Sequence, residues 1–211
     1  DSLFRMRELT DDERKYWLTK ADTARIMQRF FGKLDKQARA RKINAFQPHL
    51  TVIIHFNVDA KNDPWLKPSN RNLSMTFVGG SFMKGELETP EDRYHFLRLL
   101  AGDDIHYSTL FSGLVIKYYS KESKVEAAGI TDETYITNAC METPKEGVYC
   151  RNLYLTRTLH GTLVYGESQY QDNLRESAIL GNPDKQEARL RKVANAYYKA
   201  VLKYIRKVDE E

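Results

Sequence analysis

With 211 residues, 41% of them hydrophobic, the chain is long enough to bury one sizeable core, and no change in composition announces a second domain. Lys and Arg number 33 against 29 Asp and Glu, a formal charge of +4 that is too even for a nucleic-acid binder. No stretch reaches the roughly 18 apolar residues of a membrane helix and no secretory leader precedes Asp1, so a single domain without a membrane span is expected, its abrupt start fitting a trimmed product.

Thr10-Asp11-Asp12-Glu13 reads as a capping box opening a helix. Trp17, Ala21, Ala24, Met27 and Phe31 follow at helical spacing up to Gly32, which predicts one core helix. A second helix is predicted over Lys36 to Ala45, with Arg39, Arg41 and Lys42 on a solvated face and Pro48 ending it.

Leu50 to Phe56 comes next, with β-branched side chains at Thr51, Val52, Ile53 and Ile54. Such a run suits a strand covered on both faces in the parallel core of an α/β sheet. His55 stands at its far end, where open α/β sheets collect ligands and catalytic groups. A long loop is expected from Lys61 to Gly85, with a short strand at Leu73 to Val78 inside it. Thr89-Pro90 restarts a helix, Thr89 as cap and Pro90 in the first turn. Another helix is predicted over Asp104 to Tyr119, followed by irregular chain from Gly129 to Pro144. Cys140 and Cys150, with Pro144 and Gly147 between them, are either a disulfide across a turn or two free thiols.

His160-Gly161 reads as the turn into a strand, Thr162 to Tyr165, with Glu167 just past its end. If that strand runs parallel to Leu50 to Phe56, Glu167 and His55 emerge at the same edge as an acid/base and metal pairing. A last helix, Asp184 to Val208, carries Leu190, Val193, Tyr197, Val201, Tyr204 and Ile205 along one side. His49 lies six residues before His55, about 20 Å away on an extended strand, too far to share a metal with it. His160 at the start of its strand is disfavoured likewise, and His95 and His106 fall in helices with surface or packing roles.

Arg39-Ala40-Arg41-Lys42-Ile43-Asn44, then Ile54-His55-Phe56-Asn57, resemble the Arg-x-x-x-x-Asn helix and Ser-Ile-His-x-Asn strand of the zinc-dependent N-acetylmuramoyl-L-alanine amidases of bacterial cell walls. Leu155-Thr156-Arg157, Val164-Tyr165-Gly166-Glu167 and Gln171-Asp172-Asn173 resemble that family's arginine-containing strand entry, catalytic glutamate and following asparagine. The resemblance implies an α/β fold, a three-layer domain with a mostly parallel mixed sheet flanked by helices on both faces. It implies His55 as a Zn2+ ligand, Glu167 as general base, and Asn57, Arg157 and Asn173 as substrate-binding residues. The cleaved bond would be the amide between N-acetylmuramic acid and L-alanine of the stem peptide. Peptidoglycan would be the partner, with an activator protein beside it, the chain being monomeric and extracytoplasmic.

The family's other two zinc ligands, a histidine in an Asp-x-Gly-His-Gly-Gly loop and a glutamate shortly after it, have no counterpart here, so further ligands are expected from outside the visible sequence. One imidazole alone implies only about millimolar zinc binding. Two other readings stand beside this one. His49-Leu50-Thr51 and His160-Gly161-Thr162 have the form of paired His-x-Thr motifs of a phosphoesterase, and an amidase-like module without metal would dock on peptidoglycan or a partner without cleaving it.

Overall fold

The computed structural model describes residues 11–20, 22–62 and 67–210. The chain divides into two compact units, Asp1–Phe46 and Gln47–Glu211. The first contains α1 (Asp11–Thr19), α2 (Thr23–Arg29), a π turn (Phe30–Leu34) and α3 (Asp35–Phe46). Where one long helix is expected, two form. Thr19 donates its hydroxyl to the Lys15 carbonyl at 2.6 Å and ends the first, and Asp22 accepts the Arg25 N–H at 2.8 Å to start the second. Met27 and Phe31, expected in the core, are about half exposed. The Thr10 cap lies outside the described residues. Arg39, Arg41 and Lys42 are exposed as expected, Arg39 pairing with Asp35 one turn back at 2.8 Å.

The second unit is built on six strands: β1 (Leu50–Asn57), β2 (Leu73–Val78), β3 (Glu126–Ala127), β4 (Cys140–Glu142), β5 (Val148–Arg151) and β6 (Thr162–Tyr170). Their order is β1-β6-β2-β5-β4, with β3 also paired to β2. The sheet is mixed: β1 with β6, β2 with β5 and β2 with β3 run parallel, whereas β2 with β6 and β4 with β5 run antiparallel.

β1 corrects the expectation of a strand covered on both faces. It ends the sheet, with β6 its one strand neighbour among the described residues, and Val52 and Ile54 are 37% and 48% exposed. A β-branched run reports strand propensity, not position within a sheet. The buried strand is β6, and it does not stop at Tyr165. It continues through Gly166 and Glu167 to Tyr170, so Glu167 lies inside the strand. Buried polar atoms on it meet partners, the Ser168 hydroxyl at 2.9 Å from the Tyr197 hydroxyl and the Gln169 carbonyl accepting from the Tyr119 hydroxyl at 2.6 Å.

Helices cover both faces, which makes the fold α/β as expected. α5 (Asp104–Ser123) and α9 (Pro183–Val208) cover one face, packing Phe111, Val115, Tyr119, Val193, Ala196, Tyr197 and Ala200 against Val164. On the other face Met75, Phe77 and Tyr149 meet Ile136 of α6 (Thr134–Ala139), a helix formed where irregular chain is expected. α4 (Pro90–Ala101) opens as its sequence dictates, the Thr89 hydroxyl accepting the Asp92 N–H at 3.1 Å. α7 (Tyr154–Thr158) and α8 (Leu174–Leu180) flank β6 in sequence.

The two cysteines are free thiols. Cys140 stands opposite Arg151 and Cys150 opposite Met141 in the β4/β5 ladder, an offset of one residue that turns their side chains to opposite faces of the sheet.

Gly166 is required by packing. An ideal Cβ there would stand 1.8 Å from the Tyr197 hydroxyl and 2.9 Å from the ring carbon bearing it. Gly166→Ala is therefore expected to destabilise the chain by about 3 kcal/mol or more, and adding Tyr197→Phe to restore part of that loss. Thermal unfolding followed by circular dichroism of the single and double variants checks both statements.

Candidate active site

His55 and Glu167 are register partners on the adjacent parallel strands β1 and β6. Side chains at paired positions project from the same face of a sheet. The His55 Nδ1 stands 2.9 Å from the Glu167 Oε2, although 112 residues separate them in the chain. An ionised carboxylate can only accept, so Nδ1 carries the proton, and a neutral imidazole then holds its lone pair at Nε2. The histidine side chain is 53% exposed and the glutamate 9% exposed. A reachable imidazole is thus backed by a sheltered carboxylate.

Glu167 raises the His55 pKa above its ordinary value, its hydrogen bond outweighing the opposing effect of partial burial. The consequence for stability has a definite sign. The pair stabilises the folded chain fully below about pH 6.5, and that contribution is lost as pH rises through the higher folded pKa. In metal-free protein the His55 imidazole is expected to titrate above 6.5 by NMR. In Glu167→Gln it should fall back to that value or lower, because burial then acts without a charged partner. An unchanged His55 titration in the variant would refute this cause.

The other expected site residues have partners of their own. Asn57 follows His55 across a register irregularity at the end of β1. Its amide donates to the Tyr135 hydroxyl at 2.8 Å, and that hydroxyl donates to the Met75 sulfur at 3.2 Å. Burial holds the Tyr135 phenol well above its usual pKa, so it remains a neutral donor. Arg157 turns towards α4, pairing with Asp92 at 3.3 Å and with Asn152 at 3.3 Å, its guanidinium 5.2 Å from the Tyr154 ring. Asn173 caps α8, its carbonyl accepting the N–H groups of Arg175 and Glu176 while its amide donates to the Ser69 and Arg71 carbonyls. The structure therefore brings His55 and Glu167 together with Asn57 two residues along β1, while Arg157 pairs with Asp92 and Asn173 caps α8.

The paired His-x-Thr reading does not survive the register. Leu50 stands opposite Thr162 and Thr51 opposite Leu163, so the two motifs are staggered by one residue and their threonines face opposite sides of the sheet. Thr162 meets the Tyr204 hydroxyl at 2.9 Å on the α9 side, whereas the Thr51 hydroxyl is buried without a partner among the described residues. His49 and His160 precede β1 and β6, at the opposite end of these strands from His55. His95 is buried in α4 and its pKa is lowered, chiefly by that burial, while His106 is exposed on α5.

One buried cluster carries no sequence signature. Arg71 donates to the Asp59 carboxylate and, at 2.8 Å, to Glu133. The Ser69 hydroxyl also donates to Asp59 and the Tyr170 phenol to Glu133, each at 2.5 Å. Asp59 and Glu133 are 2% and 0% exposed, and the cluster ties the chain after β1, the approach to β2 and the end of β6 to the start of α6. Its members lie in four separate segments, so no local spacing announces it.

Among the described residues no group of three or more His, Cys, Asp or Glu side chains is placed to hold a metal ion. His55 and Glu167 are two donors, and a catalytic zinc needs three protein ligands besides its water. The described donor set does not fit that ion. No helix among the described residues is long and apolar enough to cross a membrane.

No protein-family model and no curated protein matches the chain. Among solved structures, the CwlD amidase from Clostridioides difficile, in complex with the GerS lipoprotein, is 17% identical over 93% of this chain and 70% of that one, with a TM-score of 0.51. The catalytic domain of CwlV, an N-acetylmuramoyl-L-alanine amidase from Bacillus (Paenibacillus) polymyxa var. colistinus, is 16% identical over 81% of this chain, with a TM-score of 0.48. The N-acetylmuramoyl-L-alanine amidase AmiC2 of Nostoc punctiforme is 14% identical over 81% of this chain, also at 0.48. This chain spans 65% of each of the last two structures. The structural neighbours are thus N-acetylmuramoyl-L-alanine amidases at low sequence identity, and the likeness to CwlD is one of fold.

Proposed function

We propose that the chain carries the hydrolytic centre of a peptidoglycan amidase that cleaves the bond between N-acetylmuramic acid and L-alanine. The observation that carries this reading is the in-register pair of His55 and Glu167, a sheltered carboxylate behind a half-exposed imidazole. A fold shared with an amidase is compatible with many activities, so the pair and not the fold bears the weight.

Glu167 acts as general base. It takes a proton from the attacking water as the C–O bond forms at the amide carbonyl, and returns that proton to the departing amine as the C–N bond breaks. His55 holds the carboxylate in place through Nδ1. Zinc, when bound in enzymes of this class, lowers the pKa of its water and polarises the carbonyl. In this chain His55 is the residue that would donate to it. Because the described residues supply no second and third protein ligand beside His55, no step is derived through the ion. Asn57, and by the sequence resemblance Arg157 and Asn173, belong to the substrate-binding part of this proposal. Peptidoglycan as substrate places the activity outside the cytoplasmic membrane, and a partner protein, as CwlD has in its complex with GerS, belongs to the same reading.

The incomplete donor set favours a second reading, a module that binds peptidoglycan without cleaving it. One experiment separates the two. Purified chain, with and without added Zn2+, is incubated with sacculi, and both bound protein and newly freed L-alanine amino termini are measured. The amidase reading expects free alanine termini from the unaltered chain. Binding without new termini in either condition would transfer the case to the docking module, and no binding would end both.

A further inference from the structure

Arg151 closes β5 on the sheet face that carries His55 and Glu167. The register leads across that face: His55 opposite Glu167, Tyr165 opposite Phe77, Phe77 opposite Tyr149, and Arg151 two residues beyond Tyr149. The Arg151 guanidinium carbon stands 4.6 Å from the centre of the Tyr135 ring and 5.0 Å from that of Phe77. Those rings lead back to the catalytic pair. Phe77 lies 6.5 Å from Tyr165, Tyr165 lies 5.7 Å from His55, and the Tyr135 hydroxyl meets the Asn57 amide.

The second unit has five arginines that are partly or wholly buried. Four meet a carboxylate: Arg71 with Asp59 and Glu133, Arg98 with Asp104, Arg157 with Asp92, and Arg189 with Glu176. Arg151 is the fifth, and among the described residues its guanidinium has no hydrogen-bonded or ion-paired partner, only the two rings. Ring stacking fixes a guanidinium and shields its faces from water, but leaves its edge N–H donors free for a planar, bidentate acceptor. A cation so held is prepared for an anion that the chain itself does not supply.

We infer that Arg151 is the anion-recognition residue of this site and receives a carboxylate of the bound stem peptide. The inference rests on the amidase reading. The strand spacing, with the arginine reaching back over Phe77, sets the guanidinium roughly 10 Å from Glu167, about three residues of extended peptide. The recognised carboxylate therefore lies downstream of the scissile amide, on the peptide and not on the sugar.

The test uses two muramoyl tripeptides, one with its carboxylates free and one with them converted to carboxamides. Binding to the Glu167→Gln chain is measured by calorimetry, so that neither ligand is turned over. The free acid is expected to bind about tenfold more tightly. Adding Arg151→Gln should abolish that preference while the chain still binds the carboxamide, an outcome that general loss of folding would not produce. Arg151→Lys, which keeps the charge and loses the fork, should retain part of the preference. Equal binding of the two tripeptides, or a preference that persists in Arg151→Gln, overturns this inference and leaves the amidase reading standing. If neither tripeptide binds, both fall.

Discussion

On the proposed amidase reading, Glu167→Gln is expected to reduce the release of stem peptides from sacculi by about 10²- to 10⁴-fold while leaving the fold intact. Glutamine has nearly the shape of glutamate and its carbonyl still accepts the His55 Nδ1 proton, so the β1/β6 contact at 2.9 Å can persist. What is lost is a group able to take up a proton and give it back. Far-ultraviolet circular dichroism and the unfolding temperature should change little, and the loss should appear in kcat. His55→Ala is the contrasting variant. It leaves the base in place but removes the partner that orients it. Full activity in Glu167→Gln would remove the carboxylate from the chemistry, whatever the fold.

The largest stability effect is expected at Arg189. Its guanidinium is 7% exposed, yet it meets Glu176 through two hydrogen bonds of 2.7 Å, reaches Gln169 at 2.8 Å and the Ser123 carbonyl at 3.2 Å. Gln169 in turn accepts the Tyr119 hydroxyl at 2.6 Å, and burial pushes that phenol up to about 12, so it stays a neutral donor. One side chain thus joins α9, α8, β6 and the end of α5. Arg189→Met leaves the Glu176 carboxylate, 3% exposed, without its cation, a change that costs about 3 to 5 kcal/mol. For a chain of this size the unfolding temperature should fall by roughly 10 °C. Adding Glu176→Leu removes the stranded charge and should recover much of the loss, because an apolar pair of similar volume replaces a buried ion pair at little net cost. If the double variant is no more stable than the single one, the damage lies in packing and not in the unpaired carboxylate.

Both effects depend on residues that differ in how visible they are in the sequence. His55 follows a β-branched run, and Glu167 follows a short apolar one, so both could be singled out as groups at strand ends. Their meeting depended on β1 and β6 being parallel and in register. Arg189 looks like one more cation on a basic helix, since nothing near it in the chain predicts a partner at Glu176 across the α8–α9 turn. Arg157 and Asn173 show the opposite case. Their spacing relative to Glu167 is suggestive, and only the folded chain shows that Arg157 pairs with Asp92 and that Asn173 caps α8.

The features legible in the residues alone are those whose cause is local. The Thr89 cap and Pro90 start α4, the stretch Leu73–Val78 is a strand to the residue, and the stripe from Val193 to Tyr204 makes α9 a core helix. These follow from side chains acting on backbone within a turn or a pleat. Four features emerge only in the folded chain: β1 lies at the sheet's end, β6 runs on through Glu167 as a buried strand, the two cysteines face apart, and Arg151 rests on two aromatic rings. Each of these depends on which strand lies beside which and in what register. Register is a property of pairs distant in the chain, and a shift of one residue would turn every side chain to the other face.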